Sequence, residues 1–138
     1  MIILDSNVVS EIMRPKPDER VIAWLDHQPR SSIWTTSITV FEIRFGLNIM
    51  PSGKRREVYT RGFDNLLARI DGRVAPFDTE AAEYASTLMA SRKERGSPRE
   101  YRDTMIAGIV LAQRATLATR NVSHFDDLSS PIVNPWSH

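Results

Sequence analysis

The sequence predicts an α/β domain built on a mainly parallel sheet. Two observations carry that expectation. The apolar run Ile2-Ile3-Leu4 stops abruptly at Asp5, as a buried strand does on reaching the edge of a sheet. Thereafter segments of strand character alternate with segments of helical period, and parallel strands need the crossovers that helices supply. Size agrees with both. A chain of 138 residues, 41% hydrophobic and 25% charged, buries a core without staples, and residues 1–138 read as one domain.

Each element has its own signal. Ser6-Asn7 is placed to cap a helical turn through Ile12, and Pro15 and Pro17 punctuate before Val21, Ile22, Trp24 and Leu25 supply a second amphipathic stretch. Ser32–Thr36, rich in β-branched and aromatic residues, reads as strand. Thr39 and Glu42 stand at capping-box spacing for a helix carrying Phe41, Phe45 and Leu47, broken by Pro51-Ser52-Gly53. Val58, Leu66, Leu67 and Ile70 mark a longer helix ended by Gly72. Val74–Phe77 reads as a short edge strand because Pro76 cannot donate to a ladder, and Asp78 caps an alanine-rich helix reaching Gly96. Ser97-Pro98-Arg99-Glu100 reads as a helix start, with cap, proline at the first position and glutamate three residues after the cap, so that Asp103 falls inside. Ala115–Thr119 is a further strand and Ile132-Val133 the last.

Composition excludes several chemistries. Without cysteine there are no disulfides, thiolate metal sites or cysteine nucleophile. The N-terminal apolar run is too short for a signal peptide or a membrane span, so a soluble, cytoplasmic protein is expected. A net charge of +1 argues neither for nor against a nucleic-acid partner. G-x-S-x-G, H-E-x-x-H and G-x-G-x-x-G are absent, and Ser52-Gly53-Lys54 is no phosphate loop because Arg55 follows where Ser or Thr belongs.

Ligands of open parallel sheets bind beyond the carboxyl ends of the strands, where Asp5 and Asn121 both fall. Taken alone, Asp5 reads equally as a helix cap, and Glu42 as the third residue of a capping box. Asp103 is harder to dismiss. Ile106, Ala107 and Val110 share its helical face, and a carboxylate there needs a cation or a donor beside it. His27, His124 and His138 form no ligand spacing, so a metal site would be built of oxygen and would suit Mg²⁺ or Mn²⁺. The basic clusters Lys54-Arg55-Arg56 with Arg61, and Arg92 to Arg102, read first as solvated helix faces. Trp24, Trp34, Phe41 and Phe45 read as core rather than as base-stacking platforms.

Leu4-Asp5-Ser6-Asn7-Val8-Val9-Ser10-Glu11 and Thr36-Ser37-Ile38-Thr39-Val40-Phe41-Glu42-Ile43-Arg44-Phe45-Gly46 resemble the opening half of PIN-domain ribonucleases. Arg102-Asp103-Thr104-Met105-Ile106-Ala107, then Leu117–Phe125 and Asn134-Pro135-Trp136, are similar to the VapC toxins in their FitB-like branch. The resemblance runs nearly end to end. It implies a PIN-like three-layer domain, with a mainly parallel sheet of about five strands flanked by helices. It also implies a ribonuclease using Mg²⁺ or Mn²⁺, with Asp5, Glu42 and Asp103 at the metal and Asn121 at a fourth position where many relatives have aspartate. Asp126 and Asp127 are the nearby acids that would make good the missing charge, although a loop or helix-cap role fits both better. Ser6 and Thr119 match small hydroxyl positions beside the carboxylates, and Arg44, Arg99, Arg102 and Arg120 are candidates for binding RNA phosphates. The implied partners are an RNA substrate, a VapB-type antitoxin covering the crevice and a second copy of the chain, with no membrane.

Two other readings compete. Asn121 keeps open a catalytically weak PIN-fold module that binds antitoxin or RNA but cleaves little. A phosphoacceptor domain also places acids at strand ends, but it carries an acidic pair and a late lysine, and no lysine follows Lys93 here.

Overall fold

Successive residues of a strand face opposite ways, and the first strand divides the interior accordingly. Leu4 enters a core with Val8, Trp24, Ile43 and Phe63, whereas Ile3 enters a second with Ile106, Val110, Leu117 and Phe125. The computed structural model describes residues 1–137, and His138, one of the three histidines considered above, lies outside the described residues. Five strands form one sheet: β1 (Ile2–Leu4), β2 (Ile33–Thr36), β3 (Val74–Ala75), β4 (Thr116–Ala118) and β5 (Ile132–Val133). Every pairing is parallel, in the order β3-β2-β1-β4-β5. The helices are α1 (Ser6–Ile12), α2 (Glu19–Asp26), α3 (Ser37–Ile49), α4 (Lys54–Arg69), α5 (Thr79–Glu94) and α6 (Tyr101–Gln113). Side chains of α1 to α4 dominate the core around Leu4, and those of α5 and α6 the core around Ile3, so the sheet is covered on both faces. The α/β class and the five-stranded parallel sheet are as the sequence predicts.

The strand order creates the site. From β1 the chain moves outward to β2 and β3, then returns past β1 to add β4 and β5 on the other side. Loops leaving β1 and β4 therefore diverge to opposite faces, opening a crevice at the carboxyl ends of those two strands.

At α1 the helix-cap reading of Asp5 holds, rather than a cap at Ser6 or Asn7: its carboxylate accepts from Ser6 N. Local starts differ from the sequence reading in two other places. The cap of α3 is Thr36, which accepts from Thr39 N, so Thr39 and Glu42 form no capping box and the Glu42 side chain is left for the crevice. Residues 97–100 are not helical, and α6 begins at Tyr101 with Glu100 as its cap. Upstream, Gly96, at φ 68°, and Ser97 close α5 by donating to Lys93 O and Arg92 O, which spends the Ser97 N–H that the Glu100 side chain would accept in a capping box.

The aromatic reading is corrected as well. Trp24 is in the core, but Phe41 and Phe45 are 62% and 53% exposed and stack on each other with centroids 6.3 Å apart. The buried stripe of α3 runs through Thr39, Ile43 and Leu47, and at 100° per residue Phe41 and Phe45 fall on its outer side.

Where α5 crosses α6, Gly108 lets the backbones meet. A methyl group there would stand 2.5 Å from Ala81 O and 2.7 Å from the Ala85 Cβ. Gly108→Ala is expected to destabilise the fold by about 1–3 kcal/mol through overpacking, read as a lower urea midpoint at unchanged slope.

Candidate active site

The pairing of Leu4 with Ala118 sets Asp5 beside Thr119, one residue past the end of each strand. Asp5 N donates to Ala118 O at 2.9 Å, which ties the turn to the sheet. Asp5 is 4% exposed, and its carboxylate accepts from Ser6 N at 2.8 Å, Thr119 Oγ1 at 2.8 Å and Asn7 Nδ2 at 3.3 Å. Burial pushes the Asp5 carboxyl above its ordinary range; the Thr119 and Ser6 hydrogen bonds oppose the rise, and the Asp103 charge adds to it.

Glu42 comes from the second turn of α3. Its Oε1 accepts from Ser6 Oγ at 3.3 Å, and Ser6 Oγ is 2.9 Å from Thr39 Oγ1, so a hydroxyl relay joins α1 to α3. Partial burial pushes the Glu42 carboxyl up, against the pull of Arg102, whose Nη1 lies 3.9 Å from Glu42 Oε2. Asp103, in the first turn of α6, has the partner its apolar face requires: His124 Nδ1, at 3.1 Å from Oδ2. These groups line one cleft of about 260 Å³, with Asp5, Ser6, Glu42, Asp103 and Asn121 joined by Asn7, Ser10, Glu100 and His124.

The crevice thus brings together the four predicted site positions and Ser6, with Thr119 behind Asp5. The arginines differ among themselves. Arg102 pairs with Glu42 and Glu100, and Arg99 donates to Ser123 O beside the cleft residue His124. Arg44 is held by Asp64 and lies over the Phe63 ring, and Arg120 lies over Trp136. Asp126 and Asp127 are engaged elsewhere, by Arg99 and by Arg92 and Arg95. Arg92 corrects the view of its cluster as a solvated face, since its side chain is 1% exposed.

Sequence reasoning missed Asn7, His124 and Glu100. Asn7 Nδ2 donates to Asp5 and to Thr119 Oγ1, while its Oδ1 accepts from Arg120 N, stitching the two strand ends together. Its signal was the position two residues after a strand-end aspartate. His124 stands three residues after Asn121 in a 3₁₀ turn (Val122–Phe125) whose first bond runs from His124 N to Asn121 O. It has no metal-ligand spacing to His27 or His138 in the sequence, and its partner here is the Asp103 carboxylate. In the sequence Glu100 fits the capping-box pattern, which masks its place in the cleft.

The donor set is carboxylate, amide and hydroxyl oxygen, which fits a hard divalent cation such as Mg²⁺ or Mn²⁺. As placed, no three of the acidic and histidine side chains among the described residues close around one point. The cleft is open, with Glu42 facing Arg102 and Asp103 facing His124.

The protein is thus of the α/β class with a carboxylate-lined crevice at the switch point of a parallel sheet, the place where ligands of such sheets bind. Residues 2–129 match the PIN domain, and the chain belongs to that family. It is 40% identical to a VapC ribonuclease of Sinorhizobium fredii over 99% of this chain and 98% of that protein. It is 35% identical to the toxin FitB of Neisseria gonorrhoeae over 99% of each chain. The crystal structure of FitAcB from Neisseria gonorrhoeae superposes with a TM-score of 0.90 at 34% identity, covering all of both chains. Among the described residues no helix is long and apolar enough to cross a membrane.

Proposed function

We propose that the chain is an endoribonuclease acting as the toxin of a toxin–antitoxin pair, with Mg²⁺ or Mn²⁺ held by Asp5, Glu42 and Asp103. One observation carries the reading. Three acids distant in sequence line a single cleft, in a chain that matches a VapC ribonuclease from end to end.

The cation, when bound, supplies Lewis acidity to the attacking water and offsets charge growing on the phosphate. The chain does the positioning. Ser6 N, Asn7 and Thr119 hold the Asp5 carboxylate in a fixed orientation, which spares it reorganisation during reaction. With Oε1 accepting from Ser6, Oε2 is the Glu42 oxygen left to hold the cation. His124 fixes the Asp103 carboxylate, and the Asn121 amide orients groups entering between β1 and β4. Arg102 and Arg99, at the cleft margin, are placed better for phosphate contacts than Arg44 and Arg120, which aromatic rings engage. An antitoxin segment covering the cleft, and self-association of the chain, complete the proposal.

Purified protein given a mixed RNA pool is expected to cut it with Mg²⁺ or Mn²⁺, to stop in EDTA, and to be inactive as Asp103→Asn. Cleavage that ignores metal overturns the proposed metal role. No cleavage by folded protein moves the reading to the binding module that the neutral Asn121 would favour. In cells, expression of the chain alone is expected to arrest growth, with relief on co-expression of its antitoxin. Thr119→Val, which keeps shape but removes a donor to Asp5, is expected to weaken Mn²⁺ binding by roughly 10–100-fold, read by titration.

A further inference from the structure

The acidic cleft carries a cation of its own. Arg102 precedes Asp103 in the first turn of α6, and its guanidinium lies between carboxylates of two different elements. Nε and Nη2 donate to Glu100 Oε1 at 3.1 and 2.7 Å, while Nη1 stands 3.9 Å from Glu42 Oε2. Glu42 and Glu100 both line the cleft, and Ser6 already occupies the other oxygen of Glu42. The remaining arginine ion pairs among the described residues are with carboxylates outside the cleft lining.

A positive charge beside the free oxygen of Glu42 opposes a second cation at the same carboxylate. The Arg102 side chain is 46% exposed, and ion pairs at such exposure are weak enough to exchange. Its guanidinium is also always charged, so the opposition persists across the working pH range.

We propose that Arg102 is a resident, displaceable counter-ion of the cleft. Without a divalent cation its single charge is shared between Glu42 and Glu100; a cation arriving at Glu42 displaces it, and the released guanidinium is then free for an RNA phosphate at the cleft margin. The inference rests on reading Asp5, Glu42 and Asp103 as the metal-holding set.

The test is Mn²⁺ binding in the absence of RNA, followed by the electron paramagnetic resonance signal of the free ion. Four proteins are compared: the wild type, Arg102→Gln, Arg69→Gln and the double variant Asp5→Asn/Asp103→Asn, each checked for folding by circular dichroism. Arg69 pairs with Asp26 outside the cleft lining, so its replacement removes the same charge elsewhere. Arg102→Gln is expected to bind Mn²⁺ about 3–10-fold more tightly than wild type. Arg69→Gln is expected to stay within about 2-fold of wild type, because screening hides remote charge. Unchanged or weaker Mn²⁺ binding in Arg102→Gln overturns the proposal, unchanged binding marking Arg102 as a substrate contact only and weaker binding as a support for Glu42. Wild-type Mn²⁺ affinity in the double variant overturns the underlying metal-site reading instead.

Discussion

Asp5→Asn is expected to lower RNA cleavage by well over the ~100-fold typical of losing a partner behind a metal ligand. The replacement has the same shape but offers one acceptor oxygen where three donors now converge on two. It also removes the most buried charge of the cleft, the one whose attraction for a divalent cation is screened least by water. Stability should respond differently. Burial already works against the ionised Asp5 carboxyl, so neutralising it relieves a cost while weakening the hydrogen bonds. The thermal midpoint in EDTA is therefore expected to move far less than activity does. A variant that loses its midpoint along with its activity would show Asp5 to be a structural cap, and a variant that still cleaves would remove it from the chemistry.

Asp127→Asn is expected to do the reverse, costing about 3–5 kcal/mol of stability. Arg92 Nε and Nη2 donate to the two oxygens of Asp127 at 2.8 Å each, and Nη1 donates to Thr104 Oγ1 at 2.9 Å, all around a buried guanidinium. Without the carboxylate that charge has no counter-ion, and water cannot replace one. The pair also secures the site, because Arg92 Nη2 donates to His124 O while Thr104 follows Asp103. Activity should fall with the fold. The double change Arg92→Met/Asp127→Leu removes both charges together and is expected to recover most of the stability. The pH dependence has a definite sign. Hydrogen bonds from Arg92 hold the folded Asp127 carboxyl far below its ordinary value of about 3.9. Its contribution is therefore complete above that value, is lost as pH falls from there toward the folded value, and should be missing from acid-unfolding curves of Asp127→Asn.

The fold was legible where local rules and global order agreed. Ile2-Ile3-Leu4 had one sensible reading, and the repeated alternation of strand and helix left parallel crossovers as the consistent arrangement. Helix starts were less legible, because the same residues satisfy competing patterns. Ser97 fits a capping box with Glu100, yet the N–H that the glutamate would accept closes α5 instead. Phe41 and Phe45 fit the helical period of α3 but not its buried face, since a period gives no phase until the neighbouring elements are known.

For the site, the sequence by itself determined the chemistry on offer: strand-end Asp5 and Asn121, helical Glu42 and Asp103, oxygen donors and no thiols. Their motif order was enough to suggest the family. Tertiary structure decided which groups share a cleft and what each touches. Glu100 and His124 enter it, whereas Asp126 and Asp127 leave it for arginines. Arg92 passes from an apparent surface cluster to the interior. The physical reason is range. Caps and strand ends are set within a few residues, but the partner of a buried charge is chosen across the fold, from groups 21 to 35 residues away in the pairs His124–Asp103 and Arg92–Asp127. Only the packed sheet and helices bring such groups within hydrogen-bond reach.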